Sequence, residues 1–167
     1  MMKAVWSGAA TAAAVVFLSA PAAFAQATAP GSLAVTANVA AKAKLTLGVG
    51  SFTFADADPD VTATMTSSAV SVDVNARTSP TGAVTLTVLA SGDLDSGSAT
   101  IAISSLTWTA TGAGFQPGTS NKITAQTVGG WTGSGSRTGG QTFSLPNSWT
   151  YATGTYTVTL NYTLTSP

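Results

Sequence analysis

The stretch Leu33-Ala34-Val35-Thr36-Ala37-Asn38-Val39-Ala40-Ala41-Lys42-Ala43-Lys44-Leu45-Thr46-Leu47 has an apolar residue at every odd-numbered position, whereas most even-numbered positions carry Thr, Asn or Lys. Side chains of a β-strand point alternately to opposite faces, so this period of two predicts a strand with one apolar face. At about 3.3 Å per residue the stretch would extend roughly 50 Å, far beyond the usual strand of about 5 to 6 residues. We therefore expect that it either bends near Ala40-Ala41 or that its first half projects from the domain and pairs elsewhere.

Segments with the same alternation follow along the rest of the chain, and turn-forming residues separate them. The predicted strands are 52–54, 61–66, 70–74, 83–90, 101–108, 123–128, 143–145 and 156–164. Ser79-Pro80-Thr81-Gly82 predicts a hairpin turn. The parity slips at Ser104-Ser105, which predicts a β-bulge, and the segments 112–121 and 129–140, the second of them glycine-rich, predict loops. Without an amphipathic helix pattern, the expected fold is all-β: an antiparallel immunoglobulin-like β-sandwich of about 8 to 10 strands.

The composition excludes several classes of function. Charged residues are only 7% of the chain, as six Lys/Arg and six Asp, and there is no His and no Cys. Without His the chain lacks the commonest general base, and without Cys it has neither a thiolate nucleophile nor disulfides. Zero net charge with scattered basic residues provides no electrostatic footprint for nucleic acid. We expect a non-enzymatic protein with no cofactor and no nucleic-acid partner.

The first 25 residues have the pattern of a secretory signal peptide. Lys3 gives a positive start, residues 9–18 are apolar, and Ala23-Phe24-Ala25 places small residues at a cleavage site before Gln26. The apolar run is too short and too interrupted for a transmembrane anchor. The predicted organisation is a signal peptide (1–25), a flexible leader (26–32) and one β-sandwich domain (33–167). The mature protein is expected to be bacterial, secreted, and extracellular or at the cell surface, with no membrane span.

The order of the alternating segments resembles that of bacterial secreted pilin-like domains. The residues that support the resemblance are Leu45-Thr46-Leu47, Phe52-Thr53-Phe54 before an Asp/Pro turn, and the closing Gly154-Thr155-Tyr156-Thr157-Val158-Thr159-Leu160-Asn161-Tyr162. The families that it resembles are the spore coat protein U-like domain and the subunits of archaic chaperone-usher pili. Those families usually contain a Cys pair, which this chain lacks.

The resemblance implies assembly by donor strands. In such pilins the sandwich lacks one strand, and the N-terminal extension of a neighbouring subunit fills the groove by β-strand addition. Leu33, Val35, Ala37 and Val39 have the required spacing within a donor strand at 33–40. The implied function is a structural subunit of an extracellular filament (pilus) or surface coat. The implied partners are copies of this chain or related surface subunits, and a periplasmic chaperone. An ordinary first strand, folded back on its own sheet, is the alternative.

Two other groups of residues suggest binding. Asp56, Asp58 and Asp60 could offer oxygen ligands to Ca²⁺, but Val61 stands where an EF-hand has Gly, and a solvated acidic turn is the alternative. Exposed aromatic rings could bind a sugar, and Trp131 is the residue expected to be exposed. Trp108, Trp149 and Tyr151 are the further members of that aromatic group, and Trp108, which follows the inward parity of Leu106, is expected to lie in the core. The alternative function is a monomeric secreted β-sandwich that binds carbohydrate or another cell-surface ligand.

Overall fold

The computed structural model describes residues 28–167 of the chain. These divide into a segment up to Ala37 and a body from Asn38 to Pro167, and each is described by itself. The predicted signal peptide lies outside the described residues. Within them, no helix is long and apolar enough to cross a membrane.

The body is an antiparallel β-sandwich, which confirms the predicted fold class. Its strands are β1 (Lys42–Leu47), β2 (Thr64–Thr66), β3 (Val70–Arg77), β4 (Ala83–Ala90), β5 (Leu94–Asp95), β6 (Thr100–Ile101), β7 (Thr107–Thr111), β8 (Gly118–Thr119), β9 (Gln126–Thr132), β10 (Gly135–Pro146) and β11 (Leu160–Thr165). One sheet has the order β1-β3-β10-β7-β8, with β2 paired to β10. The other has the order β11-β4-β9, and β5 pairs with β6 apart from both. The described strands outnumber the expected eight to ten because β5, β6 and β8 have only two residues each.

The alternating residues form the core between the two sheets. On β3 the side chains of Val70, Val72 and Val74 are at most 5% exposed, and the inward positions of β4 are buried equally well. Removing this apolar surface from water is the main stabilising contribution. Threonine on the outward positions suits a pleated surface because its side chain is β-branched.

Two tight turns pass the chain from one sheet to the other at the same end of the sandwich. The turn at 79–82 forms as predicted, with the Gly82 N–H bonded to the Ser79 carbonyl at 3.0 Å. The hairpin prediction was wrong, because β3 and β4 lie in different sheets. The second turn joins β9 to β10 and includes Gly133 at φ 74°, a conformation that favours glycine. A hydrogen bond of 2.9 Å from the Gly133 N–H to the Gly82 carbonyl ties the turns together.

Three further predictions are corrected by the structure. The parity slip at Ser104-Ser105 is a 3₁₀ turn, Ile103–Ser105, instead of a β-bulge. The predicted loop at 112–121 contains β8. The glycine-rich stretch 129–140 belongs largely to β9 and β10, because its glycines make room for rings. A Cβ on Gly139 would meet Phe115 at 2.4 Å, and one on Gly129 would meet Trp131 at 2.5 Å.

A polar link crosses the core between the sheets. The Tyr162 hydroxyl on β11 donates to Oε1 of Gln141 on β10 at 2.7 Å. Gln141 is completely buried, and its Nε2 has no hydrogen-bond partner among the described residues. Burial raises the pKa of Tyr162 to about 12. The buried side-chain amide of Gln141 therefore has only one hydrogen bond, and the Tyr162 hydroxyl donates it.

We predict that Tyr162→Phe destabilises the protein more than the combined variant Gln141→Leu/Tyr162→Phe. The single change leaves a buried amide with no partner, which costs about 1–3 kcal/mol, whereas replacing both partners by apolar groups can be nearly neutral. Urea unfolding of the two variants and of the wild type measures the difference. Equal stability of Tyr162→Phe and the wild type would contradict this role for the link.

A second prediction concerns alkaline pH. The tyrosine pKa is about 10 in an unfolded chain and about 12 for Tyr162 in the fold. Below pH ~10 both states keep the proton, and above it the unfolded chain loses its proton first. The free energy of unfolding should therefore fall as the pH rises from ~10 to ~12. Tyr162→Phe should weaken this fall in urea unfolding at a series of pH values, whereas Tyr156→Phe, whose hydroxyl is exposed, serves as the control.

Candidate assembly groove

The sandwich is closed by hydrogen bonds along one side. There the Gln116 N–H bonds to the Val128 carbonyl at 2.8 Å, and the Gly130 N–H bonds to the Gly114 carbonyl at 3.0 Å. Phe115 and Gly129 form a β-bridge between these bonds. The segment before β8 is in this way joined to β9, and the core on this side is covered.

The opposite side is flanked by β1 and β11, and it is not closed in this way. The two strands come within 8 Å of each other between Cα atoms, but they form no ladder. β1 pairs only with β3, and β11 pairs only with β4, among the described strands. Each strand thus has one edge whose backbone N–H and C=O groups lack a strand partner, and such an edge is a template for another strand.

A groove of about 1160 Å³ opens on this side, reaching beyond the ends of β1 and β11. Leu47 of β1 and Leu160 and Tyr162 of β11 line it, together with most residues of the segments 49–59 and 148–159. Leu45 and Leu47 of β1 and the inward side chains of β11 are only half-buried, whereas the inward valines of β3 and the inward side chains of β4 are buried. The core is therefore incompletely covered along this groove.

Aromatic rings form part of the groove wall. Phe52 stacks on the buried Phe143 with ring centroids 4.8 Å apart, and it meets Phe54 edge-on at 5.5 Å. Phe52 and Phe54 alternate with Thr53 as predicted, but this segment is not a strand in the structure. The rings of Phe52 and Phe54 pack against the core, but no strand is hydrogen-bonded to this segment on either side.

The two edges beside the groove differ in charge. β1 carries Lys42 and Lys44 on its exposed positions, and lysine on an edge strand is a common protection against strand addition. β11, with the sequence Leu-Asn-Tyr-Thr-Leu-Thr, has no charged residue. The edge of β11 is therefore the better acceptor for an added strand.

The long alternating stretch is a strand only in its second half. Strand β1 begins at Lys42, and residues 28–41 have no regular secondary structure and are exposed throughout. Leu33, Val35 and Val39 are 88%, 83% and 69% exposed, and Ala37 is exposed as well. Large apolar side chains at alternate positions are thus presented to solvent in the segment predicted as the donor strand.

The Asp turn lies at one end of the groove, where Asp56 and Asp58 are among the lining residues. The Asp58 carboxylate accepts the backbone N–H of Asp60 at 2.9 Å, and that of Asp60 accepts Nε1 of Trp149 at 3.1 Å. In the part of the chain that the structure describes, no three acidic residues converge into a group that could hold a metal ion. All three Asp residues of this turn are exposed.

The tryptophans do not form one exposed platform. Trp108 is 2% exposed. Trp131 lies in β9 and is half-buried, with its ring edge-on to Phe115 at 4.9 Å and its Nε1 donating to the Ala113 carbonyl at 2.8 Å. The expectation of an exposed Trp131 is therefore corrected by the structure. Trp149, beside the groove, is the exposed indole at 69%.

Sequence reasoning missed the part of the site that comes from segment 148–159. Its last residues, 156–159, belong to the predicted final strand, but strand β11 begins only at Leu160, and residues 151–159 instead line the groove. Gln141 was missed as well, since it lies between the predicted loop 129–140 and the predicted strand 143–145, where no alternation shows which residues face the core. No protein-family model, characterised protein or solved structure matches this chain.

Proposed function

We propose that this protein is a secreted structural subunit of an extracellular filament or surface coat, assembled by strand addition between copies. The observation that carries the proposal is the half-covered core between β1 and β11, in a chain that also presents an exposed, alternating apolar segment. The half-covered core lacks a strand, and the exposed segment has the residue pattern of a strand. Their combination in one chain supports self-assembly.

The groove suits an extended peptide better than a small molecule. It is an open groove of about 1160 Å³ that runs beside the unpaired edge of a strand. The uncharged edge of β11 offers backbone donors and acceptors along six residues. Main-chain hydrogen bonds to such an edge provide affinity, and pockets for alternate side chains provide specificity.

Residues 33–40 are the occupant that this chain itself offers. The segment has no charge that would have to be desolvated in the groove. Eight residues extend about 26 Å, enough to pair with the whole of β11. Leu33, Val35, Ala37 and Val39 would then face the core, and the polar Thr36 and Asn38 would face solvent.

An uncovered apolar groove also makes the free subunit prone to non-specific association. The proposal therefore includes a periplasmic chaperone that covers the groove before assembly, and a final location outside the cytoplasm. The protein acts in this proposal without chemistry of its own, as a non-enzymatic building unit.

The proposal predicts that charge on the two faces of the segment has opposite effects on assembly. Val35→Asp would place a carboxylate in the groove and should reduce the rate of filament growth at least tenfold, since burying an unpaired charge is strongly unfavourable. Thr36→Asp, its matched control one position away, would face solvent and should leave the rate near that of the wild type. Light scattering with negative-stain microscopy provides the measurement.

A deletion of residues 33–40 distinguishes donated from intrinsic strands. A donated strand can be removed from its own chain and leave a folded body that does not polymerise with itself. Loss of the folded state, followed by circular dichroism, would show instead that the segment completes its own sheet. Equal effects of the two Asp variants would also argue against the donor strand.

A second candidate function is carbohydrate binding, and one observation favours it. Trp149 is exposed beside the groove, with its Nε1 fixed by Asp60 and the half-buried Tyr151 two residues away. A flat ring held next to a carboxylate is suited to stacking on a sugar face and binding its hydroxyls.

For this candidate we predict that Trp149→Ala abolishes retention on a polysaccharide column while Trp131→Ala does not, because Trp131 is packed against Phe115. Both variants should remain folded by circular dichroism. If the wild type is not retained on a panel of neutral and acidic polysaccharides, the carbohydrate candidate is excluded.

A further inference from the structure

We infer that the junction between successive subunits is electrostatic: the cationic end of one copy docks on the Asp56–Asp60 turn of the next. This inference rests on the proposed strand addition and names a second contact surface for it. We call Lys42, Lys44, Arg77 and Arg137 the cationic end.

The cationic end contains four of the five Lys and Arg side chains in the described chain. Lys42 lies directly opposite Arg77 in the β1–β3 ladder, and like charges in this position are destabilising. Lys44 follows on the same exposed face of β1. Arg137 lies near the start of β10, at the same end of the sheet but opposite Val74 and so on the other face, and its Nη1 donates to the Ser136 carbonyl.

These cations have no acidic partner within the described chain. The ion pair found there joins Lys122 to Asp93 at 2.6 Å, and Lys122 is the one cation outside the cationic end. Asp73 lies on the same outward face of β3, where its carboxylate accepts the Thr138 hydroxyl at 2.8 Å. With Lys42, Lys44 and Arg77 beside it, this face keeps an excess of positive charge that favours a negatively charged partner.

The Asp56–Asp60 turn lies toward the other end of the same sheet. Asn147, directly after β10, donates from Nδ2 to the Ala57 carbonyl at 2.9 Å. Arg77 is near the start of β10, since its neighbour Ala76 pairs with Gly135. β10 has twelve residues between these points, which corresponds to roughly 35 to 40 Å. Positively charged side chains therefore lie toward one end of this sheet and the Asp56–Asp60 turn toward the other.

The short stretch between the donor segment and β1 brings the cationic end of one copy close to the Asp56–Asp60 turn of the next. Three residue steps separate Val39 from Lys42, a reach of about 10 Å at most. Charges interact over a similar distance, since the Debye length is about 8 Å at physiological salt. When the segment leaves a neighbour's groove beside Asp56 and Asp58, Lys42 and Lys44 must lie close to those carboxylates.

This junction also selects the direction of the added strand. A segment running the other way would leave the groove toward the C-terminal end of β11, where the Thr78 hydroxyl contacts the Pro167 carbonyl, next to Arg77. Lys42 would then approach the cationic end of the acceptor. The favourable direction places the added strand antiparallel to β11.

Charge reversal in the full protein tests the inference. Lys42→Glu/Lys44→Glu should slow filament growth about tenfold at low salt, and Asp56→Lys/Asp58→Lys should do the same, since steering charges change association rates by 10- to 1000-fold. A chain with all four changes should regain a rate near that of the wild type, because its ends are again opposite in charge. Rates at low and high salt are followed by light scattering.

A control variant, Thr124→Glu/Ala125→Glu, adds negative charge at exposed positions just before β9, the edge strand on the far side of the sheet from β11, and should have little effect. If the wild type forms filaments and the reversals do not change the rate, the electrostatic junction is wrong while the proposed function stands. If only the lysine reversal slows growth, or the fourfold variant is not restored, another anionic partner contacts the cationic end and the inference is overturned. If the wild type forms no filaments, the proposed function fails, and the junction fails with it.

Discussion

The unpaired edge of β11 and the half-buried side chains beside it set the main constraint on this structure. A β-sandwich is stable when both of its open sides are covered, either by hydrogen-bonded strands or by packed side chains. Here one side is closed through the segment that precedes β8, whereas the other leaves aromatic and aliphatic groups in contact with water. The same chain has an exposed segment with the alternation of a strand. The uncovered side and the exposed segment each leave apolar surface in water, and one contact between copies would bury both surfaces.

The sequence predicts the faces of the strands well because the period of two follows directly from backbone geometry. Val70, Val72 and Val74 are buried as their alternation predicts. Alternation does not show whether a segment has a partner, and a strand exists only where a neighbour accepts its hydrogen bonds. Phe52-Thr53-Phe54 and residues 33–41 have the pattern of strands and lack the neighbour, so they are not strands in the structure.

The glycine-rich stretch shows the opposite error. Glycine is unfavourable in strands, so that a run of glycines predicts a loop. In β9 and β10 the missing side chains make room for Trp131 and Phe115, and the large rings replace the absent packing. A pair of residues distant in sequence determines this arrangement. Local propensity therefore could not predict that the glycine-rich stretch forms strands. It could not predict the groove either, because the groove is formed by segments about a hundred residues apart.

The antiparallel pairing of β11 with β4 has a consequence for how a filament would withstand force. Tension along a filament built as proposed would pull the added strand and β11 lengthwise in opposite directions. The hydrogen bonds between them would then be loaded together in shear, instead of being peeled apart one at a time. Six register pairs between β11 and β4 would pass this load into the centre of the second sheet. Mechanical strength would in this way come from backbone geometry alone, in a chain that has no cysteine for a covalent cross-link.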